Sequence, residues 1–294
     1  MSVVSKGLEG IVAAETRLGE VKGAEGILFY CGYDINELAG KVSYEEVVHL
    51  LFYNRLPNQV ELDKLTTALR AERELPQGVI DFLQLAPKNA RPIDVMRTAV
   101  SMLGCYDMKR HDVEVGENLA TAIRLVSQIG VVAAYFHRAR QGLELPPVRK
   151  DLSEAAHFLY LMTGEVPTKE AEQTLDVAYV LHAEHGFNAS TFTARVVAST
   201  LSDMYSAISA AIGALKGPLH GGANEGVIHM LEEIGSPDKV DAWVEDALAQ
   251  KKKIMGIGHR VYKVLDPRAP HLRDMAIKLT AQLGEAKWIQ MSER

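Results

Sequence analysis

The stretch Gly213–Gly226, GALKGPLHGGANEG, places one histidine, His220, between a proline-bearing turn and two adjacent glycines. Apolar helical patterns flank it on both sides. Downstream, Val227, Met230, Leu231 and Ile234 fall on one helical face, with Glu225 in the first turn. A helix therefore starts just past the glycines, and His220 stands at its N-terminus. There the positive end of the helix dipole disfavours imidazolium, so the sequence predicts a neutral ring able to donate one hydrogen bond. The glycines allow a ligand to come close to the backbone. This combination suits an electrophile that polarises a carbonyl, and a plain turn histidine would account for the same residues.

Working outward, the pattern is helical almost throughout. SYEEVVHLLFYNRLP has Ser43 three residues before Glu46, a capping box, and NQVELDKLTTALRAEREL repeats Leu62, Leu65 and Leu69 at helical spacing. ARPIDVMRTAVSMLG, GENLATAIRLVSQIGVVAAYFHRARQG, DLSEAAHFLYLMTG and TKEAEQTLDVAYVLHAEHG continue in kind. Only the first forty residues break the pattern, where GIVAA and GILFYCGYDI read as short strands or an extended arm. Val196–Leu215, rich in Ala, Ser and Gly, predicts a helix for close packing, in the core or against a second subunit. Gly217-Pro218 is the candidate hinge, dividing a large helical domain (1–217) from a smaller one (218–294). Beyond it the pattern predicts one amphipathic helix, a solvated run at Lys251–Lys253, and a final helix from about Asp266. The fold class is mainly α.

Two further stretches carry histidines near helix ends. In HAEHGFNASTFTAR (His182–Arg195), His182 ends a helical face, His185 lies one turn on, and Gly186 stands where a C-cap glycine belongs. A histidine there is favoured in its protonated form and suits a carboxylate, although bonding the last helical carbonyls is the plainer role for either ring. In GIGHRVYKVLDPRAP (Gly256–Pro270), His259 follows glycines and has Arg260, Lys263 and Arg268 close by. Asp266-Pro267 reads as N-cap and N1 of the closing helix, and the Arg268 fork matches a carboxylate or phosphate.

Composition narrows the function. Apolar residues make up 47% and charged residues 24%, an ordinary balance for a globular protein, and the net charge of −6 gives no general attraction for nucleic acid or anionic membrane. Cys31 and Cys105 form no metal or redox pair, which favours a reducing interior. The opening residues do not form a secretory signal and no apolar run is long enough for a membrane span, so the expected location is cytoplasmic. GIG at Gly256 lacks the rest of a dinucleotide fingerprint, and His182 with His185 lacks the HExxH spacing of a zinc site.

Jointly, HAEHGFNAS, GPLHGGANE and GIGHRVYKVLDPRA, together with GLEGIVAAETRL and GYDI upstream, resemble the citrate synthase family, over essentially the whole chain. The resemblance implies a mainly α, two-domain homodimer. It also implies condensation of acetyl-CoA with oxaloacetate at the entry of the tricarboxylic acid cycle, with no metal or redox cofactor. His220 is similar to the histidine that hydrogen-bonds the thioester carbonyl, and His259 to the one that polarises the oxaloacetate carbonyl. His185 and Arg268 match oxaloacetate ligands, with Asn188 and Ser190 supporting them. Gly256, Ile257 and Gly258, with Lys263, resemble the part that meets CoA. Cys31 stands where family chains often carry arginine. The family's aspartate base lies farther beyond the histidine matched by His259 than Arg294 does. The resemblance thus implies a C-terminally truncated chain lacking that base, with Asp266 and Asp274 the nearest acids.

Rival expectations are 2-methylcitrate synthase acting on propionyl-CoA, a non-catalytic helical dimerisation protein derived from the family, and a histidine-ligated metal hydrolase.

Overall fold

The structure, a computed structural model, describes residues 14–108, 115–258, 261–284 and 286–294. Of the two apolar pieces near the N-terminus, GIVAA lies outside the described residues except for Ala14. The other forms strands. β1 (Gly19–Lys22), β2 (Ile27–Tyr30) and β3 (Tyr33–Asp34) make a small antiparallel meander, with Glu20 paired to Phe29 and Phe29 to Asp34. The alternation of β2 sends Leu28 and Tyr30 inward, fully buried, while Phe29 stays on the other face.

Fourteen α-helices follow this sheet among the described residues. Asp34 caps α1 (Ile35–Leu38), and the predicted Ser43/Glu46 box opens α2 (Tyr44–Tyr53). A second box, Asn58/Glu61, opens α3 (Gln59–Ala71). Then come α4 (Gln77–Leu85), α5 (Pro92–Tyr106), α6 (Val115–Gln141), α7 (Glu154–Thr163) and α8 (Lys169–His182). One core joins α4, α5, α6 and α7 through Leu83, Val100, Val132, Phe136 and Leu161. A second packs the sheet against α2 and α8 through Leu28, Tyr30, Leu50, Val180 and Leu181.

The second half departs from the sequence reading in several places. The expected helix Val196–Leu215 is two, α9 (Ala189–Ala198) and α10 (Met204–Leu215), because Leu201 takes a left-handed φ of +61° and Asp203 caps the second. Past the Gly217-Pro218 turn lie α11 (Gly222–Ile234) and an additional helix, α12 (Val240–Ala249). The expected closing helix is again two, α13 (Ala269–Leu283) and α14 (Lys287–Glu293), parted by Gly284 at φ +70°. Its N-cap is Arg268 rather than Asp266, and the proline of its first turn is Pro270. Asp266 instead turns back, its carboxylate accepting the Arg268 N–H at 3.0 Å. Helices α11, α12 and α14 share a satellite core of Leu231, Ile234, Val240 and Met291.

Contrary to the expectation that no segment is apolar enough for a membrane span, Asn118–Gln141 of α6 meets that test by length and composition, through an 18-residue window with a mean hydropathy of 1.6. Half of that window is buried, and Leu125, Val131, Val132 and Phe136 belong to the first core, which explains its apolar character.

Two polar features, one fully buried and one half-buried, constrain the frame. Arg73, fully buried, donates to the carbonyls of Arg149 and Leu152 and pairs with Glu154, clipping the α6–α7 loop to α7. Asp176 accepts the Tyr44 N–H at 3.0 Å, and burial, aided by nearby Glu45, Glu172 and Glu46, pushes its carboxyl up to about 6.

Arg73→Met is expected to cost about 3–5 kcal/mol in urea unfolding, since it strands a buried carboxylate. Arg73→Met with Glu154→Met should recover most of that loss, and equal losses in the two would contradict the pairing. The raised Asp176 pKa favours the folded state fully below the unfolded value near 4, and this contribution is lost as pH rises through about 6. Asp176→Asn should therefore stabilise the protein at pH 7.5 and flatten its stability between pH 4 and 6, both read from urea midpoints.

Candidate active site

Each site-bearing segment is a turn held between rigid elements. The His220 turn joins α10 to α11, with the Gly217 carbonyl accepting from the N–H groups of His220 (2.9 Å) and Gly222 (3.2 Å). Two ion pairs tie its flanks to the start of α5. Lys216 Nζ lies 2.8 Å from both Asp94 oxygens, and Arg91 lies 2.6 Å from Glu225 in the first turn of α11. The ring is half-buried, one residue before the Gly221 N-cap, as the sequence predicts.

His220 Nε2 lies 2.8 Å from Ser190 Oγ, which also lies 3.0 Å from the Ala211 carbonyl of α10. The serine has a single proton to give. Donated to Ala211, it leaves Oγ to accept from Nε2–H, and Nδ1 is then an acceptor. Donated to Nε2, it puts the ring proton on Nδ1, which becomes the donor that a carbonyl ligand needs. Ser190 thus couples the ring tautomer to a choice of partner.

Ser190 stands in the first turn of α9, capped by Asn188, whose Oδ1 accepts the N–H groups of Ser190 and Thr191, each at 3.0 Å. The same segment begins with His185. Helix α8 ends at His182, so His185 lies in the following loop rather than one helical turn on, and Gly186 bends that loop at φ +65°. His182 takes the plainer role, its Nδ1 donating to the Ala178 carbonyl at 2.7 Å. His185 Nε2 lies 3.1 Å from the hydroxyl of Tyr262, with the rings edge-on at 5.5 Å. Burial pushes the Tyr262 phenol up to about 12, keeping it protonated at neutral pH. Nothing in the sequence marked Tyr262, a buried tyrosine within an otherwise exposed basic strap.

Arg268 follows on that strap. Its Nε and Nη2 grip the Asp266 carboxylate at 2.9 and 2.6 Å. Burial opposes the guanidinium charge, but the Asp266 pair outweighs it and holds the Arg268 pKa above the ordinary value. Asp266, engaged on both oxygens, is poorly disposed to act as a base. Burial raises the phenol of Tyr30, beneath the strap, although the Arg268 charge works against that rise. His259 and Arg260 lie outside the described residues.

Gly256 (φ +85°) and Gly258 (φ +88°) flank an exposed Ile257, so both positions use a conformation that favours glycine. Gly256 abuts Val227 of α11. Lys263 is exposed, and its N–H bonds the Gly23 carbonyl at 2.8 Å. The site residues fall into two groups, His220 with Ser190 and His185 with Tyr262 and Arg268, joined by the short segment His185–Ser190. Among the described residues no three His, Cys, Asp or Glu side chains are placed to hold a metal ion.

Residues 7–294 match the family described as citrate synthase, C-terminal domain. The chain belongs to the citrate synthase family. It is 45% identical over 293 residues to the citrate synthase of Deinococcus radiodurans, covering 100% of this chain and 78% of that protein. It is 40% identical over 290 residues to a 2-methylcitrate synthase of Mycobacterium tuberculosis, covering 98% and 73%. A solved ternary complex of citrate synthase from the archaeon Thermoplasma acidophilum with carboxymethyl coenzyme A and oxaloacetate has a TM-score of 0.92 at 33% identity, covering 98% of this chain and 76% of that one. The mainly α fold, the acyltransferase class and condensation of the citrate synthase type follow from this membership. Citrate synthases need no cofactor, acetyl-CoA being a substrate.

In ¹⁵N spectra of the imidazole rings, His220 should show one dominant tautomer, and Ser190→Ala should convert it to a mixture. A tautomer ratio that is unchanged by Ser190→Ala would contradict the role given to that hydroxyl.

Proposed function

We propose that this citrate synthase family member condenses acetyl-CoA with oxaloacetate at the two groups of residues joined by His185–Ser190. The observation that carries this reading is the His220–Ser190 pair. It offers a ring in a glycine-flanked turn whose Nδ1 is a donor when Ser190 donates a hydrogen bond to an unprotonated Nε2, the state that polarises a thioester carbonyl. Transfer of an α-proton to a base then gives an enolate held by that hydrogen bond, whose carbon bonds to the oxaloacetate ketone carbon while the ketone oxygen takes a proton. Water cleaves the resulting citryl thioester to citrate and CoA.

In this reading Arg268 and His185 hold the oxaloacetate carboxylates, and His259 polarises its ketone. Asn188 keeps Ser190 in place by capping α9. Gly256, Ile257 and Gly258, with Lys263, meet CoA, a role that their exposure permits. Gly217-Pro218 serves as the hinge between the domains 1–217 and 218–294, and closing it would exclude water from the thioester. A homodimer is supported by α9, none of whose residues is buried, with its Val196 52% exposed and Leu201, just past its end, 77% exposed. A cytoplasmic enzyme of the tricarboxylic acid cycle completes the proposal.

Calorimetry should show oxaloacetate binding, and His185→Ala or Arg268→Leu should weaken it at least about tenfold, the usual scale of a lost charge-assisted bond. Unchanged affinity in both variants would overturn the assignment. In a DTNB assay the protein should release thiol from acetyl-CoA only when oxaloacetate is present, and no release would contradict the proposed condensation. Faster release from propionyl-CoA would favour 2-methylcitrate formation instead. Sedimentation should give twice the mass of the protein's single chain, and a monomer would contradict the dimer.

A further inference from the structure

We propose that the β1–β2 turn, and Gly23 above all, is a positioning element that sets the oxaloacetate-binding strap against the His185 loop. The inference rests on the reading that His185 and Arg268 hold oxaloacetate. Residues Val261–Leu265 lie directly on the backbone of the turn. Lys263 N–H donates to the Gly23 carbonyl at 2.8 Å. A Cβ on Gly23 would run into the Val261 carbonyl oxygen and stand 3.1 Å from Val261 Cγ1. At Gly26 a Cβ would stand 2.7 Å from Val264 Cγ2 and 3.0 Å from the Leu265 carbonyl.

The contact fixes more than the strap itself. Tyr262, between Val261 and Lys263, is buried and reaches His185 Nε2 at 3.1 Å. Three residues after Lys263 the Asp266–Arg268 fork begins. The other end of the same hairpin touches the other loop, where a Cβ on Gly19 would collide with the Glu184 carboxylate. That carboxylate accepts the Gly186 N–H and so shapes the turn after His185. One short sheet therefore sets the register of two loops that are distant in sequence.

Gly23, unlike Gly26, does not occupy the left-handed region. Alanine is conformationally acceptable there, and the demand for a bare backbone comes from the strap alone. A methyl group at Gly23 must lift Val261 and with it Tyr262 and Arg268. Displacements near 1 Å in a binding constellation are costly, up to about a hundredfold in rate.

The test compares Gly23→Ala with Gly142→Ala, whose φ of +72° imposes backbone strain but whose Cβ would meet nothing within 4 Å. Three quantities are read: thermal midpoint, oxaloacetate affinity by calorimetry, and the His185 ring signals in ligand-free protein. Gly23→Ala should shift the His185 signals and weaken oxaloacetate about tenfold or more. Gly142→Ala should lower the midpoint and leave the other two unchanged. Val264→Ala, at a half-exposed site that threatens folding less, should move both quantities in the same direction by a smaller factor. Unmoved signals and affinity in Gly23→Ala and Val264→Ala would overturn the inference, as would an equal loss of affinity in Gly142→Ala. If the unmodified protein takes up no oxaloacetate, the functional reading falls separately. The His185 signals then decide the positioning role alone, supporting it if Gly23→Ala or Val264→Ala moves them and overturning it if neither does.

Discussion

The direct seating of loops on the backbone of the N-terminal hairpin is the constraint on which the proposed site depends. Where Gly23 meets the backbone of Val261 there is no space for even one added carbon, and at Gly19 an added carbon would displace the Glu184 carboxylate. Close packing of this kind transmits position, because a displaced neighbour cannot relax into a void. The hairpin is in turn anchored by Leu28 and Tyr30 in the core shared with α2 and α8. A sheet of only three short strands thus carries the geometry of His185, Tyr262 and Arg268, although none of them belongs to it.

The His220 turn is held by different means. Its flanking ion pairs, Lys216–Asp94 and Arg91–Glu225, are partly or largely exposed and individually weak, and they hold the turn chiefly by limiting its orientation relative to α5. The finer control comes from the half-buried Ser190 hydroxyl, shared between a backbone carbonyl and the ring. Rigid helices thus fix where the ring is, while a single serine proton governs what it can donate.

Much of this was legible in the sequence, for identifiable reasons. The Ser43/Glu46 box, the apolar face of α11 and the glycines around Ile257 are local features, and local spacing suffices to read them. The mainly α class came from helical periodicity along the chain, and the three motifs taken together implied the family. What failed was boundary placement. Ala, Ser and Gly recur on both sides of Leu201 between Val196 and Leu215, so the break there leaves no trace in hydrophobic periodicity. Asp266-Pro267 has the chemistry of a helix start, yet the Arg268 side chain captures the carboxylate that would have capped it. Tyr262 and the hairpin contacts were invisible because they join residues far apart in the chain, and no local pattern encodes such a meeting.

The central claim is that this arrangement binds oxaloacetate with its ketone polarised. The most direct measurement is the ¹³C resonance of oxaloacetate labelled at the ketone carbon, recorded free and bound to the protein. Polarisation by the proposed site predicts a downfield shift on binding that shrinks when His259 is replaced by alanine. A bound ligand that keeps the resonance of the free ketone would contradict the account.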